Sequence, residues 1–203
     1  MAEASSDKSD FSHSVHRIEG LSDGIFAIAM TLLVLTLTLP DELAQTPSSG
    51  LLDLIVGQAH KFLNYFFAFL ILAIFWIMHH QQFQWVRRVD IKLLLINVVM
   101  LMFVSLMPFS TDIAGDFSGM EVAEVFFASN VMVIDLLLLA NWTYATREHR
   151  LVGPNVGQKV IAIENRRCAV ILLISAFTIG LSFVIPPWNL LVYAVTPVVL
   201  FLR

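Results

Sequence analysis

Arg17-Ile-Glu-Gly-Leu-Ser-Asp-Gly-Ile-Phe-Ala-Ile-Ala-Met-Thr-Leu-Leu-Val-Leu35 opens with one cation and two carboxylates, then runs on for twelve residues without a charge. The next charged residue is Asp41. A soluble amphipathic helix returns polar residues to its water face at almost every turn, and this one does not. The apolar run from about Leu21 to Leu39 suits a helix crossing a hydrocarbon core of about 30 Å at 1.5 Å per residue.

Five further stretches read the same way: Phe62 to Met78, Leu93 to Phe109, Val122 to Thr143, Ala169 to Ile185 and Trp188 to Leu202. Hydrophobic residues make up 58% of the 203 positions and charged ones 14%. Mean hydropathy is +0.79, more apolar surface than a soluble domain of this length can bury. Lipid leaves each backbone N–H and C=O to be satisfied within its own segment, so helices are expected; no ten-residue alternation suggests a β-barrel. The expected fold is an all-α membrane protein of six transmembrane helices.

The basic residues orient it. Lys8, Arg17, Arg87, Arg88, Lys92, Arg147, Arg150, Lys159, Arg166, Arg167 and Arg203 fall on one side of a six-span chain, and only Lys61 on the other. Asp41, Glu42, Asp53, Asp112, Asp116, Glu121 and Glu124 lie on the Lys61 side. Eleven against one puts both termini in the cytoplasm. Residues 1–16 read as a mobile cytoplasmic tail and 17–203 as the membrane domain. The first apolar run is too long for a signal-peptide core and lacks a small-residue cleavage site. The lone Cys168 has no internal disulfide partner and reads as packing. The segment from Glu148 to Lys159 reads as the longest cytoplasmic loop. No cofactor, metal or nucleic-acid partner is expected.

Polar residues inside spans carry the functional information, because a mid-helix carboxylate costs about 2.5–3.5 kcal/mol on insertion scales. Asp23 lies about 9 Å along a helix from Arg17. Trp76, His79 and His80, spaced i, i+3, i+4, share one face. Counted from Arg17, Arg87 and Lys92, the side chains of Asp23, His79, His80 and Asn97 fall in one layer. Hydrogen bonds among them, with Ser22 and Trp76, would clamp spans one to three together. A gate, a proton relay and a metal site are other readings of the cluster; adjacent histidines point about 100° apart and rarely share one ion. Asp135, midway along span four, reads as a buried hydrogen-bonded acid.

On a helical wheel Ile28, Leu32 and Leu35 fall within about 60°, with Thr31 at the border and Asp23 about 140° from Ile28. A clamp at Asp23 therefore leaves this stripe free to face something else. Since the whole span is apolar, periodicity by itself leaves core or lipid contact equally open.

The motif Arg17-x-x-x-Leu21-Ser22-Asp23 and its tail to Leu35, with Trp76-x-x-His79-His80, the Asn97 region and Pro108-Phe109 closing span three, resembles the transmembrane protein 175 family of potassium channels. The likeness covers nearly the whole chain. Leu21 stands where the family usually has Phe, exchanging an aromatic contact for a smaller one. The resemblance implies a homotetramer with span one around a central axis. It implies an apolar constriction at Ile28, Leu32 and Leu35, a threonine layer at Thr31, and a polar network of Arg17, Ser22, Asp23, Trp76, His79 and Asn97. No Thr-Val-Gly-Tyr-Gly filter is present. The expected function is passive, potassium-favouring conduction through the bacterial inner membrane, with potassium the only ligand. A secondary transporter of a cation or proton is the alternative, although matching repeats and paired Gly/Pro breaks are missing. A membrane enzyme would need a nucleophile beside a base, which the chain does not offer. A purely structural membrane assembly is the remaining reading, and single-channel currents separate it from a channel.

Overall fold

A computed structural model describes residues 3–38 and 51–201. Of the positions used above, Leu39, Asp41, Glu42, Leu202 and Arg203 lie outside the described residues. The described residues are helical almost throughout. Helix α1 (Glu3–Leu32) tightens into a short 3₁₀ turn at Leu33–Thr36. It begins at Glu3, inside the segment read from the sequence as a tail. Then come α2 (Leu51–Gly57), α3 (Ala59–Phe83), α4 (Ile91–Ser105), α5 (Met107–Asp116), α6 (Glu121–Thr146) and α7 (Gln158–Ser182). A C-terminal 3₁₀ helix (Pro186–Phe201) follows.

Four segments are long and apolar enough to cross a membrane by length and composition: Val15–Thr36, Ala59–Phe83, Ile91–Asp116 and Glu121–His149. They correspond to the first four spans read from the sequence. The fifth falls on α7, whose first half also carries Lys159, Glu164, Arg166 and Arg167 in helical conformation. The sixth is the shorter C-terminal helix.

One boundary differs clearly. Pro108-Phe109 does not close span three. The helix pauses at Leu106 and resumes as α5 to Asp116. Pro108 sits in the first turn of α5, where the amide it lacks needs no partner, so it bends the span rather than ending it. Gly119, at φ 88°, then turns the chain into α6.

Local chemistry sets several ends. The Asp90 carboxylate caps α4, accepting from the Leu93 amide at 2.9 Å. The connection read as a plain loop after α6 is pinned instead. Arg87 and Arg88 donate their amides to the Leu151 carbonyl at 2.8 and 3.2 Å, and Val86 pairs with Val152. Glu148 and His149 there adopt positive φ, a conformation side chains tolerate poorly.

Two apolar clusters hold the helices. The larger joins Phe26 of α1 and Leu33 of the 3₁₀ turn that follows it to Phe75 and Met78 of α3, Met100 of α4, Phe127 and Ile134 of α6 and Tyr193 of the C-terminal helix. The smaller sits at the arginine-rich end, where Val15, Val86, Leu93, Trp142 and Val152 meet.

Candidate functional site: a polar knot and an open face on α1

Helix α1 buries one narrow side. Ser22, Phe26, Ala29 and Leu33 are inside, spaced three or four apart. The other side is bare: Ile28 is 59% exposed, Leu32 42% and Leu35 66%. Only 28% of the α1 span is buried inside the chain, against 50% of α3 and of α6. Thr31 is exposed on the same side, and its hydroxyl donates back to the Ile28 carbonyl at 2.8 Å. That bond satisfies the donor within the helix and leaves oxygen lone pairs turned outward.

The buried side is held by polar groups from three helices. The Asn97 amide on α4 donates to the Ser22 hydroxyl on α1 at 3.2 Å. The Asn97 carbonyl oxygen takes the proton of His79 Nε2 on α3 at 3.0 Å, which assigns that nitrogen as protonated. All three residues are buried. The His79 ring lies over Phe83 at 4.2 Å between centroids. At the edge of this knot Trp76 Nε1–H donates to Asp23 Oδ1 at 2.8 Å.

Of the residues placed in one layer by counting from the basic anchors, the structure joins some and not others. The knot has a buried arm, Ser22–Asn97–His79, and an exposed arm, Asp23–Trp76, joined through the α1 backbone. His80 belongs to neither; it is exposed and stacks on Trp76. Arg17 is not in the knot either. It is exposed and lines a groove with Ile18, Leu21, Asp90 and Leu94. Asp23 lies five positions before Ile28, so the knot and the bare face occupy different stretches as well as different sides of α1.

Other polar contacts were not legible. Lys61 pairs with Asp116, tying α3 to α5. Asn130 of α6 donates to the Ser110 hydroxyl at 3.2 Å. Arg167 donates to Glu164 at 2.8 Å, Gln81 at 2.6 Å and the Leu200 carbonyl at 2.8 Å, binding α7 to α3 and the C-terminal helix. Apart from Glu164, three positions before Arg167 on the same helix, the partners are far apart in sequence, and no local spacing announces them. At the arginine-rich end the Tyr144 hydroxyl donates to Asp90 at 2.6 Å and receives from Arg150 at 3.2 Å. Burial pushes Asp90 up, but the Leu93 amide, the Tyr144 hydroxyl, the Lys92 amide and the Arg150 charge outweigh it and hold the carboxyl below its ordinary value. Among the described residues no three His, Cys, Asp or Glu side chains are grouped to hold a metal.

Comparison with known proteins places this geometry. The family model described as endosomal/lysosomal potassium channel TMEM175 matches residues 17–108, which contain the whole knot and the bare face. A potassium channel of Streptomyces collinus is 33% identical over 178 residues, covering 86% of this chain and 85% of that one. The chain belongs to the TMEM175 family. A TMEM175 protein of Gallus gallus, named an endosomal/lysosomal proton channel, is 28% identical over 68% of this chain and 29% of its own length. The crystal structure of a TMEM175 homologue from Chamaesiphon minutus, titled a lysosomal potassium-selective channel, superposes with a TM-score of 0.80. It shares 24% identity and covers 93% of this chain and 97% of that one, so the fold is common to both. The relatives of this TMEM175 chain are channels, not enzymes, and it is an integral membrane protein.

Proposed function

We propose that this TMEM175 member is a potassium-favouring cation channel in which four copies of the chain surround an axis with α1 innermost. The observation that carries the reading is the asymmetry of α1. One side is anchored to α3 and α4 through Ser22, Asn97 and His79. The opposite side leaves Ile28, Leu32 and Leu35 largely uncovered by the described residues, with Leu32 and Leu35 bordering an open groove beside Pro108 and Phe109. A helix so placed needs a partner outside its own protomer, and a contact repeated by a closing rotation gives a ring.

In that ring four Ile28 side chains form the narrowest point, with Leu32 and Leu35 beyond. A narrow apolar ring excludes water and ions; slightly wider, it wets and conducts. A crossing ion gives up part of its hydration shell, which potassium does at lower cost than sodium. The outward lone pairs of Thr31 lie one turn from Ile28 and offer replacement oxygens. Asp23, Trp76 and the buried knot hold the base of α1 in place. No cofactor is called for beyond the permeant ion.

In the same reading all six helices cross the membrane, with both termini and residues 1–16 in the cytoplasm of a bacterial cell and the chain in its inner membrane. The C-terminal helix has 16 residues. At about 2.0 Å per residue a 3₁₀ helix of that length covers about 32 Å, enough for the hydrocarbon core where an α-helix would fall short. The deciding experiment is electrical recording from purified protein in lipid under a potassium/sodium bi-ionic gradient, with Ile28→Asn beside the wild type. Selectivity and conductance that ignore the substitution would remove Ile28 from the ion path.

A further inference from the structure

A cavity of about 200 Å³ lies at the Lys61 end of the bundle, and none of its lining residues is on α1. The first turns of α3 form one wall, where His60, Asn64 and Phe67 follow one another at i, i+4 and i+7. Leu190 and Leu191 of the C-terminal helix face them, and Ser118 contributes from the turn between α5 and α6. Apart from His60, Asn64 and Ser118 the lining is apolar.

Asn64 is 7% exposed, and its amide nitrogen has no hydrogen-bond partner among the described residues. Buried donors are almost always paired, so an orphan in a cavity wall points to an acceptor carried by a ligand. Water fills such a space poorly. A buried water needs about three polar partners, and most of this wall offers none.

The cavity opens toward lipid. Leu63, Leu191 and Trp188 line it and are exposed, and in a membrane protein an exposed apolar rim faces acyl chains, with an indole suited to the boundary. Asn64 is two positions past Phe62, where the apolar run of the second span begins, so it lies about 3 Å inside the hydrocarbon edge. His60 is one turn nearer water, about 6 Å along the axis, and Phe67 is about 4.5 Å deeper than Asn64. A headgroup region is about 5–7 Å deep on each side of the bilayer. From water inward the wall therefore presents an imidazole, an amide and an aromatic ring. A glycerophospholipid presents a phosphate, ester carbonyls and acyl chains in the same order and at the same spacing. A fatty acid has no acceptor one turn below its anionic group, and a water-soluble ligand would have to cross the apolar rim.

We propose that this cavity binds a glycerophospholipid. The Asn64 amide donates to an ester carbonyl oxygen, and a His60 ring N–H donates to the phosphate. The first methylenes of that chain lie between Phe67, Leu190 and Leu191, and the rest leaves over Leu63 into the bilayer. The size fits: a cavity of about 150 Å³ accepts a benzene ring, so this one takes an ester and the start of one chain, not a whole lipid. The lipid bridges α3, the turn after α5 and the C-terminal helix. In the orientation proposed above it belongs to the outer leaflet. The site rests on membrane embedding and stands whether or not α1 lines an ion path.

The test titrates delipidated full-length protein in detergent with dioleoyl phosphatidylglycerol and counts bound lipids per chain by native mass spectrometry, with thermal unfolding in parallel. Wild type is expected to hold one phospholipid per chain more tightly than the rest and to melt higher with it. Asn64→Leu replaces the amide by an apolar group of similar size. It should weaken that lipid about tenfold, the worth of one hydrogen bond. Without lipid it should melt no lower than wild type, because the orphan donor is gone. Lower melting of the lipid-free variant with unchanged lipid binding would give Asn64 a structural role and overturn the proposal. Oleic acid held as tightly as the phospholipid, and lost with Asn64→Leu, would overturn the choice of ligand. If Asn64→Leu fails to fold, Leu63→Trp at the exposed rim decides: loss of the tight lipid supports the site, and its retention overturns it.

Discussion

The Trp76 indole N–H donates to the Asp23 carboxylate at 2.8 Å, across 53 positions of sequence, and beside it Asn97 joins Ser22 to His79. The pair sits at the rim and the triad inside, so the two halves of one knot contribute unequally. Removing the Asn97 side chain leaves the buried His79 N–H without an acceptor, which costs about 1–3 kcal/mol. Removing the Asp23 carboxylate frees an indole at the exposed edge and costs about 1 kcal/mol. Thermal unfolding in detergent should therefore rank Asn97→Ala below Asp23→Ala, and both below wild type. Equal melting of Asn97→Ala and wild type would show that the knot does not hold α1.

Ile28 faces away from its own protomer, so Ile28→Asn should leave protomer stability nearly unchanged and alter conduction. Ion flux should rise, and the potassium/sodium reversal potential should move toward zero, because a polar ring stays wet. Leu32→Ala should act in the same direction and less strongly, since it widens the path while leaving it apolar. A fall in flux with either substitution would contradict an apolar constriction there.

Arg167 serves three acceptors on three elements. Arg167→Met leaves the Glu164 carboxylate buried without its cation, a loss of about 3–5 kcal/mol. Adding Glu164→Gln should recover a large part of it, since the uncompensated charge then disappears. A double variant as unstable as the single one would place the cost in the lost contact to Leu200 instead.

Asp90 ties the start of α4 to Tyr144 of α6. Its folded-state value lies below the ordinary carboxylate value, so its contribution is complete above that ordinary value and is lost as pH falls through the folded one. Wild type should lose stability against Asp90→Asn on acidification through that window, while a constant offset should persist at neutral pH. A difference between the two proteins that ignores pH would mean that the carboxylate charge plays no part.

The lipid class, the first four spans and the depth of the polar layer were all legible in the sequence. Charge-free runs report hydrocarbon directly, and depth follows from counting residues from Arg17, Arg87 and Lys92 at a fixed rise. The helical propensity that carries α5 past Pro108 was not, because a proline reads as a stop unless the amide it lacks falls in a new first turn. Nor were the ties of Arg167, Lys61 and Asn130 to other helices, whose partners lie 20 to 86 positions away and are set by which helices touch.

What the sequence determined alone is that this chain lives in a bilayer and which polar side chains share a level within it. Only tertiary structure decided direction around each helix: that Ser22 turns inward and Ile28 outward, that His80 leaves the knot, and that Asp135 meets α7. The physical reason is that an amphipathic pattern tells inside from outside only when the outside is water. With apolar residues on every side of a span, rise is written in the chain and rotation is settled by packing.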